Sequence, residues 1–171
     1  FILRRLKTDK AIISDLPEKV ELNECVSLSK EQSSLYRKTV EDTLDAIARS
    51  PRGQRHGKIL GLLTRLKQIC NHPSLALKEE IVFEGFASRS TKVQRLDEIL
   101  EEVLEAGDRA LLFTQFAEWG NLLQAYLQQR WCCEVPFLYG STRKGERQAM
   151  VDRFQEDPRG PKLFLLSLKA G

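Results

Sequence analysis

Cysteine and histidine are scarce in this 171-residue chain: four cysteines (Cys25, Cys70, Cys132, Cys133) and two histidines (His56, His72). The cysteines form no C-x-x-C pair and no staggered framework, which argues against a zinc ribbon or a disulfide scaffold and for a reduced, intracellular protein. No apolar run approaches the ~18 residues needed to span a bilayer, so no membrane partner is expected. The basic start Phe1-Ile2-Leu3-Arg4-Arg5 lacks the long apolar core of a signal peptide.

Catalytic signatures are missing too. There is no G-x-x-x-x-G-K-[ST] loop to cradle nucleotide phosphates, so this stretch alone is not expected to hydrolyse ATP. The absence of G-x-G-x-x-G and of a ribose-binding acid ranks a small-molecule-binding α/β domain last among the alternatives. No Ser/His/Asp set suggests itself. Cys70 and His72 lie two apart and cannot face each other on a helix, which removes a thiol nucleophile with its base. His72 is expected in the last turn of a helix, as a cation at the carboxyl end of the dipole.

Charge is nearly balanced, 27 Lys and Arg against 24 Asp and Glu, but it is unevenly spread. No acid lies between Asp45 and Glu79, where Arg49, Arg52, Arg55, Lys58, Arg65, Lys67 and Lys78 all fall. From Asp97 to Asp108 the pattern reverses, with Glu98, Glu101, Glu102 and Glu105 on what reads as one solvated helix face. Such a lopsided field favours one docking direction for a phosphate backbone, or is simply a solvated face beside a basic loop.

An extended segment is expected over 16–28, where Val20, Leu22, Val26 and Leu28 recur in phase. Ser29 with Gln32 makes a capping box, and Leu35, Tyr36, Val40, Leu44 and Ile47 continue a helix from about Lys30 to Arg49. Ser50-Pro51-Arg52-Gly53 breaks it. Ile59, Leu62, Leu63, Leu66, Ile69 and Cys70 mark a second helix, which Pro73 stops. The two form a hairpin that stands out from the main body. A polar, mobile stretch is expected over 76–90, then a helix capped by Thr91 with Gln94 and ended by Gly107.

Thereafter strand and helix alternate: strands at Ala110–Phe113, Val135–Tyr139 and Leu163–Leu166, helices at Glu118–Arg130 and Lys144–Gln155. That order implies crossovers and a parallel sheet, with the last strand buried on both faces. In such a sheet ligands bind at the carboxyl edge. Three turns should meet there: Thr114-Gln115-Phe116, Gly140-Ser141-Thr142 and Ser167-Leu168-Lys169. They offer hydroxyls, an amide, a glycine and a lysine, with Arg147 one turn beyond, a set suited to gripping phosphates. Taken singly, each is also an ordinary strand-to-helix turn with a hydroxyl cap.

Several blocks, in order, resemble the Swi/Snf-type DNA translocases of helicase superfamily two. These are Phe1–Arg5 with Leu16-Pro17-Glu18-Lys19, then Arg65-Leu66-Lys67-Gln68-Ile69-Cys70-Asn71-His72-Pro73, then Ala110–Phe116. Tyr139–Thr142 with Arg147 and Phe154, and Leu165–Gly171, complete the match. The resemblance implies a second RecA-like lobe, an α/β parallel sheet with flanking helices, preceded by an inserted α-helical hairpin or protrusion and present in part.

It divides the chain into an inter-lobe connection over 1–28, the protrusion and linker over 29–90, and the lobe over 91–171. It places Thr114, Gln115, Phe116, Gly140, Ser141, Thr142, Arg147, Ser167 and Lys169 on double-stranded DNA, Ala170 and Gly171 toward ATP, and Arg4 and Arg5 between lobes. Arg52, Arg55 and Lys58 become candidate DNA contacts on the protrusion. ATP and Mg2+ are expected mainly on a first lobe of the same polypeptide, whose P-loop and acidic magnesium motif are absent here. The parent is expected to be a DNA-dependent ATPase, acting on a DNA-bound protein complex in the prokaryotic cytoplasm and nucleoid or, in a eukaryote, the nucleus. The alternative is a non-catalytic nucleic-acid-binding or scaffold module.

Overall fold

Ser29 opens the first helix, α1 (Lys30–Ala48). Its hydroxyl accepts from the Gln32 amide at 3.1 Å, and the Gln32 side-chain oxygen accepts from the Ser29 amide at 3.1 Å, the reciprocal box the spacing predicts. In this computed structural model, which describes residues 19–79 and 82–169, residues 19–28 carry no helix or strand. Arg4, Arg5, Leu16, Pro17, Glu18, Ala170 and Gly171 lie outside the described residues.

The second helix, α2 (Arg52–Asn71), starts earlier than its apolar stripe suggests, with Pro51 as its cap. Proline lacks the N–H that a helix start leaves unpaired, so it begins this helix rather than ending a loop. The break shrinks to Arg49–Pro51, and the basic residues expected in a turn sit on a helix. Gln32, fully buried, ties the pair together by donating Nε2–H to the Ile69 carbonyl at 2.8 Å. Every residue from Pro51 to Gly61 is exposed, so the far end of the hairpin projects into solvent.

In the joint that follows, expected to be mobile over 76–90, some of the described residues are helical and packed. Pro73 begins a short helix, α3 (Pro73–Leu77), and a 3-10 turn spans Ala87–Arg89. Leu75 and Phe86 are buried in the main core, because aromatic and aliphatic groups set among polar neighbours still pack where a cavity receives them. Helix α4 (Thr91–Glu105) follows, and its cap is Ser90 rather than Thr91. Both hydroxyls point elsewhere: Ser90 donates to the Asn71 carbonyl at 2.7 Å and Thr91 to the Ser27 carbonyl. Gly107 adopts φ 77°, the left-handed helix stop its position predicts.

The body is a three-stranded parallel sheet of β1 (Ala110–Thr114), β2 (Phe137–Leu138) and β3 (Leu163–Ser167), in the order β1-β3-β2. β2 is shorter than the apolar run suggests. Helix α5 (Ala117–Trp131) joins β1 to β2 and α6 (Lys144–Glu156) joins β2 to β3.

Alternate residues of β3 serve opposite faces, as strand geometry requires. Leu163 and Leu165 pack with Val93, Leu100, Leu123 and Leu127 of α4 and α5, whereas Phe164 packs with Met150, Val151 and Phe154 of α6. The central position of β3 explains its burial on both sides. β1 is an edge strand, and its Leu111 and Phe113 remain 50% and 62% exposed.

Candidate functional site

The parallel register brings the three strand ends level. Thr114 stands opposite Ser167, Leu138 opposite Leu166, and the Leu168 amide donates to the Thr114 carbonyl at 2.8 Å. The chains leaving these strands therefore emerge side by side. Gln115, Phe116, Glu118, Tyr139, Gly140, Ser141, Ser167 and Lys169 line one open groove of about 520 Å³. This is the convergence the three turns were expected to show.

Within it, hydroxyls and backbone divide the work. Thr114 and Ser167 are 5% and 6% exposed, and each accepts the amide two residues on, from Phe116 at 3.3 Å and Lys169 at 3.4 Å. Thr142 accepts the Tyr139 amide at 3.1 Å and returns its own amide to the Tyr139 carbonyl at 3.0 Å. These hydroxyls shape the turns. The exposed residues along the groove are Gln115, Ala117, Glu118, Gly140, Ser141 and Lys169. A Cβ on Gly140 would meet only the Lys169 carbonyl, at 4.0 Å, so nothing within the described chain demands glycine there.

Arg147 reaches back from α6 to the Gly140 turn. Its Nε donates to the Thr142 carbonyl at 3.0 Å and its Nη2 to those of Tyr139 and Gly140, each at 3.3 Å. A planar fork of donors can hold several carbonyls at once, so Arg147 fixes this turn while keeping a positive charge beside it. Helices α5 and α6 point their amino ends at the same edge, where Glu118 and Glu146 occupy their first turns.

The hairpin reaches the groove through its base. Lys67 of α2 donates to the Gln115 Oε1 at 3.4 Å, a contact its place in the basic, acid-free stretch did not announce. Farther out, Arg55 donates to the Ser50 carbonyl at 3.0 Å and Lys58 to the Ala46 carbonyl at 3.3 Å, so both close the carboxyl end of α1. Arg52 is exposed. A second cavity, of about 660 Å³, lies between the hairpin base, α4 and β1 and shares Gln115 and Phe116 with the groove.

Two expectations away from the groove are corrected. His72 does end α2, as expected, but not as a cation: it is fully buried where α2 passes into α3, and burial pushes its pKa below the ordinary imidazole value. Asp97 is not solvated surface either. The Tyr126 hydroxyl donates to its Oδ2, its Oδ1 is buried without a partner, and burial raises its pKa. Among the described residues no group of three or more His, Cys, Asp or Glu is placed to hold a metal ion. None of their helices is long and apolar enough to cross a membrane.

Comparison with known proteins finds matches over most of the chain. The family described as SNF2-related domain matches residues 1–75, and that described as helicase conserved C-terminal domain matches 91–171. A Sulfolobus solfataricus SWI2/SNF2 ATPase core in complex with dsDNA is similar over 100% of this chain and 36% of its own, with a TM-score of 0.81 and 42% identity. The chain belongs to the Swi2/Snf2 family.

Its Swi2/Snf2 relatives include YwqA of Bacillus subtilis, which carries the name of an ATP-dependent helicase/translocase. YwqA is 43% identical over 173 residues, covering 100% of this chain and 18% of YwqA. A mouse SWI/SNF-related regulator of chromatin, subfamily A member 1, is 32% identical over 176 residues, covering 100% of this chain and 16% of that protein. The chain thus spans less than a fifth of the length of these curated relatives. The parallel sheet and flanking helices are similar in fold to the corresponding part of the Sulfolobus ATPase core.

Proposed function

We propose that this chain is the second motor lobe of an ATP-dependent double-stranded-DNA translocase. It grips the DNA phosphate backbone at the carboxyl edge of its sheet and closes on ATP held by a first lobe of the same polypeptide. The observation that carries this reading is the single groove into which all three turns open, with Lys169 and Gln115 exposed along it. Its likeness to the Sulfolobus ATPase core, described as a complex with dsDNA, supports a duplex as the polyanion.

In this reading Thr114, Thr142 and Ser167 build the turns, Arg147 holds one of them, and Gln115, Phe116, Gly140, Ser141 and Lys169 meet the backbone. Arg52, Arg55 and Lys58 add positive field on the hairpin. Ala170 and Gly171 face ATP, and Arg4 and Arg5 lie between lobes. ATP with Mg2+ supplies the phosphoryl-transfer energy when bound, and hydrolysis needs both lobes because charge on the transferred phosphoryl is stabilised from across the cleft. Residues 1–28 form the connection, 29–90 the hairpin and joint, and 91–171 the lobe. The whole protein works inside the cell, in the compartment that holds its DNA-bound target.

The test is ATP hydrolysis by the full-length protein with and without duplex DNA, together with duplex binding over a salt series. Stimulation by duplexes of unrelated sequence is expected. So is a log–log salt slope of about −0.9 per phosphate neutralised, because the contacts are to backbone. Duplex binding without stimulated hydrolysis would instead support a non-catalytic binding module, and salt-indifferent binding would end the phosphate-grip reading.

A further inference from the structure

His72 is fully buried, while His56, the other histidine, is exposed. Its two nitrogens have unlike partners. The Phe86 carbonyl, 3.0 Å from Nε2, can only accept; the Ser74 amide, 3.2 Å from Nδ1, can only donate. Both bonds form together in one protonation state, the neutral ring with its hydrogen on Nε2.

The imidazole also stacks. Its centroid lies 3.9 Å from that of Phe86 at an interplanar angle of 12°, and 6.1 Å from that of Trp119 at 16°. Trp119 belongs to the first turn of α5, directly after the Gln115 turn. One residue before His72, Asn71 accepts from Ser90 through its carbonyl and from Lys92 through its Oδ1. One turn earlier on α2, Lys67 donates to Gln115. The base of the hairpin thus reaches the Gln115 turn by two routes, through Lys67 and through the ring column that His72 starts.

We propose that His72 is a positioning residue that locks the hairpin and the Gln115 turn into one rigid unit, so that both engage the same polyanion in a fixed relation. The bound partner in this statement rests on the functional reading above; the mechanical coupling does not. A loop cap alone would require only the Nδ1 bond. The Nε2 bond and the stack on Trp119 are what carry His72 beyond α3 into the body.

Two variants in the full-length protein separate these roles. His72→Phe keeps a stacking ring and deletes both hydrogen bonds; His72→Asn keeps a capping acceptor and deletes the ring. Amide hydrogen exchange is expected to rise about tenfold in both at residues 66–71 and 115–121, while 163–167 keeps the wild-type rate. Acceleration confined to 73–77, or wild-type exchange throughout, would overturn the proposal. If one variant does not fold, the other decides.

In ATPase titrations with duplex DNA, the half-saturating duplex concentration should rise about tenfold while kcat at saturation changes by less than about twofold. An unchanged half-saturation beside a stimulated wild type would also overturn it. A wild type that no duplex stimulates would sink the functional reading instead, and the exchange result would still judge His72.

Discussion

Thr114 and Ser167 stand level in the parallel ladder, and each bends its hydroxyl back on to the amide two residues along its own chain. Thr114→Ala and Ser167→Ala should each cost about 1 kcal/mol of stability, the usual worth of such a bond, and loosen the groove indirectly. Lys169→Ala removes an exposed cation and should leave stability within about 0.5 kcal/mol while making the salt slope of duplex binding shallower by about one. Urea midpoints and binding anisotropy across salt concentrations check both. An unchanged salt slope in Lys169→Ala would take that lysine off the backbone.

Arg147 spans three carbonyls of the Gly140 turn with a rigid planar fork, whose width and fixed directions a compact ammonium does not reproduce. Arg147→Lys, with charge preserved, should therefore raise the duplex concentration for half-maximal ATPase stimulation by about fivefold. Charge reversal in Arg147→Glu should lower stimulation further. Unaltered stimulation in both would show that the shape of this turn is irrelevant to the partner.

Gly120 lies in α5 where a Cβ would come within 2.1 Å of the Phe137 ring, which itself stacks on Tyr139 at 4.9 Å. Gly120→Ala should destabilise by about 2 kcal/mol through forced displacement of a packed ring. On the exposed hairpin helix, Gly57 has no neighbour within 4 Å of the added carbon, and Gly57→Ala should stabilise by about 0.5–1 kcal/mol. Thermal unfolding of the two variants should move in opposite directions.

Three groups set how stability changes on acidification, two lowering it and one restoring part of it. His72 has a lowered pKa, first from burial, so the unfolded chain takes up its proton first and stability is lost as pH drops below the ordinary value of 6.5. The charged groups facing it are Arg89, which opposes the imidazolium, and Glu31 and Glu79, which favour it. Glu31, bonded to Arg89, has a lowered pKa, so its contribution is full above 4.5 and disappears as pH falls through the lower folded value. Asp97, raised by burial, works the other way and recovers stability as it protonates. Urea midpoints between pH 8 and 5 should decline in the wild type and stay flatter in His72→Phe.

The sequence alone determined the two hairpin helices, the helix that Gly107 ends and the order of strands and helices after it. The Ser29 box, the Gly107 stop and the alternation of strand and helix follow from local rules of capping and periodicity, which need no distant partner, and the rule for crossovers then sends the three turns to one edge. Tertiary structure decided what each polar group does. The buried hydroxyls of Thr114 and Ser167, the reach of Arg147, the Lys67 to Gln115 contact and the neutral state of His72 depend on which carbonyls and amides lie nearby after folding. The joint over 82–90 reads as loop because Gly85 and the residues around it follow neither helix nor strand periodicity, yet Phe86, 2% exposed, packs in the core against residues far along the chain. A hydrogen-bonding side chain announces its capacity in the sequence; its partner, and so its role, is fixed only when burial removes water as the competing choice.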